Sequence, residues 1–120
     1  MDTEKAREII FDNYMCNENS FIFLLHEKSS FSEEKFREFC GSIAVLAETE
    51  KSGSDLTMQI NNSYQYLLRE IIYHFDPDDL SRIDDFPENY NDYIEKIEAA
   101  LVAYHRGKKA IYDDFLKLQE

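Results

Sequence analysis

Glycine and proline are scarce in this 120-residue chain, at three and two copies. A β-sandwich needs a turn signal roughly every 8–12 residues, so that architecture is disfavoured. So little glycine also leaves no phosphate-cradling loop, and no GxGxxG, GxxxxGK[ST] or GxSxG pattern occurs. Cysteine is limited to Cys16 and Cys40, without CxxC or Cys/His spacing, which argues against a disulfide scaffold. The longest apolar run, Phe21-Ile22-Phe23-Leu24-Leu25, is far short of the roughly 20 residues that span a bilayer. Met1-Asp2-Thr3-Glu4-Lys5 has neither a basic region nor an apolar one, so no signal peptide is visible and a cytoplasmic location is expected. Positive charge is also in short supply: thirteen Lys and Arg face twenty-five Asp and Glu, a formal net charge of −12. Direct binding of nucleic acid, which draws its affinity from Lys and Arg on phosphates, is disfavoured, as is an anionic membrane surface.

What is present is apolar and aromatic. Hydrophobic residues make up 43%, with nine Phe and eight Tyr, enough for a single core and too rich for a disordered acidic tail. Their spacing is helical. Ala6, Ile9, Ile10 and Tyr14 predict a helix from near Thr3, interrupted at Asn17–Ser20. Ser20 or Asn19 caps a second short segment through His26; its apolar run fits helix or strand, with helix preferred. Ser32, followed by Glu33 and Glu34, starts a helix that carries Phe36, Phe39, Cys40, Ile43 and Leu46 and is expected to reach about Glu50. Lys51-Ser52-Gly53-Ser54 reads as a loop, with Gly53 and Ser54 as stop and restart. The strongest amphipathic pattern, Ile60 to Phe75, predicts a helix from about Asp55 that ends at Asp76-Pro77. A polar connection to Pro87 is expected to hold one helical turn around Leu80 and Ile83. A last long pattern from Glu88 breaks at Gly107, and Ile111 to Leu118 closes the chain. The expected fold is an all-α, single-domain bundle of five or six helices over residues 1–120.

Residues 76–98 are the most acidic stretch, with nine acids against only Arg82 and Lys96. Clustered like charge opposes folding by self-repulsion and suits a positively charged partner. Asp78, Asp79, Asp84, Asp85, Glu88, Asp92 and Glu95, together with Tyr90 and Tyr93, are therefore the candidate partner-binding residues. Tyrosine joins apolar area to a hydroxyl and is enriched at interface hot spots; the plainer alternative places both tyrosines in the core. The acids do not fit a calcium loop: counted from Asp76, positions five, six and twelve are Leu80, Ser81 and Pro87. His26, His74 and His105 are isolated, and His74 reads as a partner for the dipole at a helix C-terminus. Neither a nucleophile–base pair nor a cofactor motif stands out, so no enzymatic activity and no cofactor are expected.

Phe75-Asp76-Pro77, then Pro87-Glu88-Asn89-Tyr90-Asn91-Asp92-Tyr93 with Ile94, Ile97 and Leu101, resembles a group of small bacterial helical proteins. In that group an aromatic-Asp-Pro turn precedes a Glu-x-Tyr-x-x-Tyr helix start, and several members look like immunity proteins of contact-dependent growth inhibition and related polymorphic toxin systems. The likeness runs from Tyr64 to Leu101. It departs where the group has Trp and then Ile-Gly around Asp-Pro; here stand Phe75 and Asp78-Asp79. The resemblance implies a helical fold, with Asp76 capping and Pro77 opening a turn, and assigns no binding residue. With the net charge, it makes an immunity protein the expected function, its partner a cognate toxin domain with the basic surface of a nuclease. The alternatives are a helical adaptor with an apolar contact surface and a nucleic-acid mimic that regulates a DNA-binding protein.

Overall fold

Two serines open helices where the sequence suggests. Ser20 Oγ accepts a hydrogen bond from the Phe23 amide at 3.1 Å, and Ser32 Oγ one from the Lys35 amide at 3.2 Å, each satisfying an orphan donor of a first turn. The computed structural model describes residues 1–51 and 54–119. Among them the chain forms six α-helices and no strand: α1 (Thr3–Tyr14), α2 (Phe21–Glu27), α3 (Glu33–Val45), α4 (Leu56–Phe75), α5 (Tyr90–Arg106) and α6 (Lys109–Leu118). The fold is the expected all-α bundle. Of the expected break at 51–54, Ser52 and Gly53 lie outside the described residues, while the Ser54 hydroxyl donates to the Lys51 carbonyl.

The apolar run at 21–25 is helical, burying Phe21, Ile22 and Leu25. A seven-residue helix is marginal by itself and depends on tertiary contacts. Asn13, 3% exposed, supplies one: its Oδ1 accepts the Ile22 N–H at 3.0 Å while its Nδ2 donates to the Ile9 carbonyl at 2.9 Å, tying α1 to the first turn of α2. The third helix stops short of Glu50. It ends at Val45 and passes into a 3₁₀ turn over Leu46–Glu48, where the Thr49 hydroxyl donates to the Leu46 carbonyl at 2.8 Å and competes with the helical bond.

α1 packs on α3 and α4, and α5 packs on α3 and α6. One connected core draws on every helix, from Ala6 and Ile10 of α1 to Tyr112 of α6. Its aromatic centre is Phe21, whose ring meets Phe31 and Phe36 edge-on, each at 5.3 Å, and stacks on Phe39 at 6.3 Å. Gly107 ends α5 at φ +70°, a left-handed conformation that suits glycine. Its N–H reaches the Tyr104 carbonyl and the Lys108 N–H reaches that of Ala103, the paired bonds of a Schellman end. None of the described helices is long and apolar enough to cross a membrane.

Residues 76–89 contain no helical turn around Leu80 and Ile83, contrary to expectation. Their amides are taken by other acceptors: Asp79 Oδ1 for Ser81, His74 Nδ1 for Ile83 and the Ser29 carbonyl for Asp84. With those donors committed, the i→i+4 ladder cannot form.

Candidate partner-binding surface

The segment joining α4 to α5 is irregular but fastened along its length. The last carbonyls of α4 have no intrahelical partner. Arg82 folds back onto them and onto its own loop: Nη1 donates to the carbonyls of Asp79 and Ser81, both at 2.6 Å, and Nη2 to that of Asp76 at 3.2 Å. Its positive charge also sits favourably at the negative end of the helix dipole. Asp76 Oδ1 accepts the Asp78 amide at 2.9 Å, the turn expected for Asp-Pro. Asp79 Oδ1 accepts the Ser81 amide at 2.7 Å, and that bond holds its carboxyl below the usual carboxylate range.

The far end is pinned to the connection between α2 and α3. The Asp84 N–H donates to the Ser29 carbonyl at 2.8 Å. Asp85 Oδ1 accepts the Phe31 amide at 2.6 Å, and Oδ2 the Ser30 hydroxyl at 3.3 Å. Ser29 itself has φ +52°, a conformation uncommon outside glycine and asparagine. Beneath the loop, Phe86 stacks on Tyr90 at 5.5 Å and meets Phe75 and Phe31 edge-on. An unbroken row of rings therefore connects the exposed Phe75 to the core.

The structure separates the nine candidate residues into groups. Asp78, Asp84, Glu88 and Glu95 are exposed, and their carboxylates form no ion pair or hydrogen bond with a described residue. Asp79 is half-buried in its turn. Asp85 is tied to the backbone of Phe31, so its carboxylate is a fastener. Asp92 accepts from Asn89 Nδ2 at 3.3 Å and lines a shallow groove with Glu33 and Lys96. Tyr93 wedges between Phe31 and Phe36, at 5.0 and 5.3 Å, and burial raises its phenol pKa. Tyr90 is half-buried, its ring against Phe75 and Phe86. Glu98 lies on the other flank of α5, near Tyr64 of α4, whose pKa is raised by burial and then by that charge.

Asp79 and Asp84 also line a cleft of about 490 Å³ between the loop, α2 and α4. The residues opposite them come from other elements: His26 from α2, and Tyr66, Arg69, Glu70 and Tyr73 from α4. His26 Nδ1 donates to Glu70 Oε1 at 2.8 Å, and Glu70 is 11% exposed at its side chain. Among the described residues no hydroxyl or thiol is hydrogen-bonded to His26, and no group of three or more His, Cys, Asp or Glu is placed to hold a metal ion. Spacing along the chain carried no signal for this cleft, because its walls meet only through the tertiary fold.

His74 differs from its expected role. It accepts the Ile83 amide through Nδ1 and is therefore a neutral ring; Arg82 occupies the place of the cation at the end of α4. Burial, and then the nearby Arg82 charge, lower its pKa. As pH falls, the unfolded chain takes up this proton first. The stabilisation is then complete above about pH 6.5 and shrinks progressively below it. In urea melts the stability advantage of the wild type over His74→Gln should narrow as pH falls below about 6.5. A constant difference would remove His74 from the account.

No protein family, curated protein or solved structure matches this chain.

Proposed function

We propose that this protein neutralises a cognate toxin domain with a basic surface, as an immunity protein of the contact-dependent growth inhibition or polymorphic toxin type. The observation that carries the reading is the state of Asp78, Asp84, Glu88 and Glu95. All four are exposed without an ion-pair partner among the described residues, in a chain of net charge −12. Such a surface gains most from a partner that supplies the missing cations. A nuclease domain carries them, because it grips phosphate backbones. Long-range attraction between the two would speed their encounter, and salt would weaken it. Neutralisation by covering a surface asks for no catalytic group in this chain, in keeping with a non-enzymatic role in the cytoplasm of the toxin's producer.

One observation favours a second reading. Ile72, Phe75 and Leu80 are exposed at 64%, 52% and 97%, which gives the same end of the molecule an apolar character suited to a helical adaptor.

The test is growth of cells that express the C-terminal domain of the protein encoded immediately upstream, with and without this chain. Rescue, with a purified complex that weakens steeply with added salt, is the expected result. A harmless domain, or killing despite this chain, overturns immunity. Binding that is tight but indifferent to salt favours the adaptor.

A further inference from the structure

We infer that residues 76–85 are a preformed docking loop in which Leu80 is the apolar anchor, matched to an apolar socket ringed by Lys and Arg on the partner. The inference rests on the toxin-binding reading and names the contact that reading leaves open. Single exposed leucines are common and by themselves mean little. Leu80 differs in its setting. It is 97% exposed, more than any other large apolar side chain among the described residues. The backbone on either side of it is held by Arg82, through the Asp79 and Ser81 carbonyls. The Asp79 carboxylate closes the turn over it, and His74 fixes Ile83 beyond it. Leu118, at 81%, has no such fastening around it at the end of α6.

An anchor on a fixed backbone binds more tightly than the same side chain on a mobile one, because the ordering cost is met during folding. Interfaces concentrate their binding energy in a few such side chains, buried at the centre of a polar rim. Here the rim carries three acids, Asp78 and Asp79 before Leu80 and Asp84 after it, against one cation, Arg82, whose guanidinium is turned onto the Asp79 and Ser81 carbonyls. That charge selects the occupant. An anionic lipid surface or a nucleic acid would be repelled, and a second copy would set like charges against each other. A basic protein surface fits both the leucine and its surroundings. The adjoining cleft, bounded by Leu80, Tyr73 and Glu70, gives a side chain from the wall of the socket somewhere to go.

The measurement is calorimetric titration of the purified upstream-encoded domain into the wild type, Leu80→Ala, Asp84→Lys and Arg82→Lys. Leu80→Ala should weaken binding by roughly 10- to 100-fold, the loss expected for one buried leucine. The factor should be similar at about 50 and 500 mM salt, whereas the loss in Asp84→Lys should shrink as salt screens it. Leu80→Ala should melt like the wild type, since the side chain touches almost nothing. Arg82→Lys keeps the charge and loses the fork. It should weaken binding with Leu80 intact and speed hydrogen exchange at the Ser81 and Ile83 amides. Undiminished binding by Leu80→Ala, beside a loss in Asp84→Lys, overturns the anchor and leaves the acidic surface standing. If the wild type fails to bind the domain, the anchor falls together with the toxin-binding reading.

Discussion

Replacing Phe21 with alanine should cost about 3–5 kcal/mol of folding free energy, a large part of the 5–15 kcal/mol typical of a domain. For a chain of this length that is a fall of roughly 12–20 °C in Tm. The ring is fully buried and touches Phe31, Phe36 and Phe39, so its loss leaves a void between α2 and α3 that neighbouring rings fill poorly. Two neighbouring substitutions test the helical form of residues 21–25. A strand would place Phe21, Phe23 and Leu25 on one face, whereas the helix buries Phe21, Ile22 and Leu25. Ile22→Ala should therefore destabilise more than Phe23→Ala in urea melts. The reverse order would mean that the segment is packed as a strand.

Reversing Asp78, Asp84, Glu88 and Glu95 to lysine should abolish most of the attraction to a basic partner without harming the fold. The formal charge moves from −12 to −4, and the association rate should fall by roughly 10–10³-fold at low salt. Stability should hold or rise, because like charges have been separated and none of the four carboxylates is used internally. Asp85→Lys should behave in the opposite way. It strands the Phe31 amide, in a residue 8% exposed, and releases the loop from the α2–α3 connection. A cost of about 1–3 kcal/mol is expected. Stopped-flow association and thermal melts on both variants separate the two roles. Equal behaviour of the two would mean that the Asp85 carboxylate does not fasten the loop.

The contrast between Asp85 and its neighbours also marks how far the sequence could be read. Helix ends with a local cause were legible: the serine caps at Ser20 and Ser32, the proline stop at Asp76, the glycine at Gly107. The stripe from Ile60 to Phe75 on α4 was legible as helix by its period of 3.6, but only in part as core: Ile60 and Leu67 are buried, while Ile72 and Phe75 at its end are exposed. The loop 76–89 was not legible. Several of its amides and carbonyls are met by the Ser29 carbonyl, the His74 ring and the Arg82 guanidinium, and no periodicity encodes such bonds. For the same reason the acids were recognised as a group but not sorted. Asp84 and Asp85 are adjacent and chemically identical, and only the partner Phe31 makes one a fastener. Tyr93 shows the converse: the sequence left it between a surface contact and the core, and Phe31 and Phe36, far upstream, are what set its ring against the core while leaving it half-buried. His26 and Glu70 had nothing in sequence to join them.

The clamp formed by Arg82 has a consequence for how such a surface could change. Its bonds go to main-chain oxygens, which every amino acid has in common. The shape of the loop is therefore largely indifferent to the side chains at 78, 80 and 84. Scaffold and display are separable: substitutions at these positions alter what a partner meets while the fold beneath goes undisturbed. A lineage carrying this architecture can thus retune whom it recognises through a handful of codons.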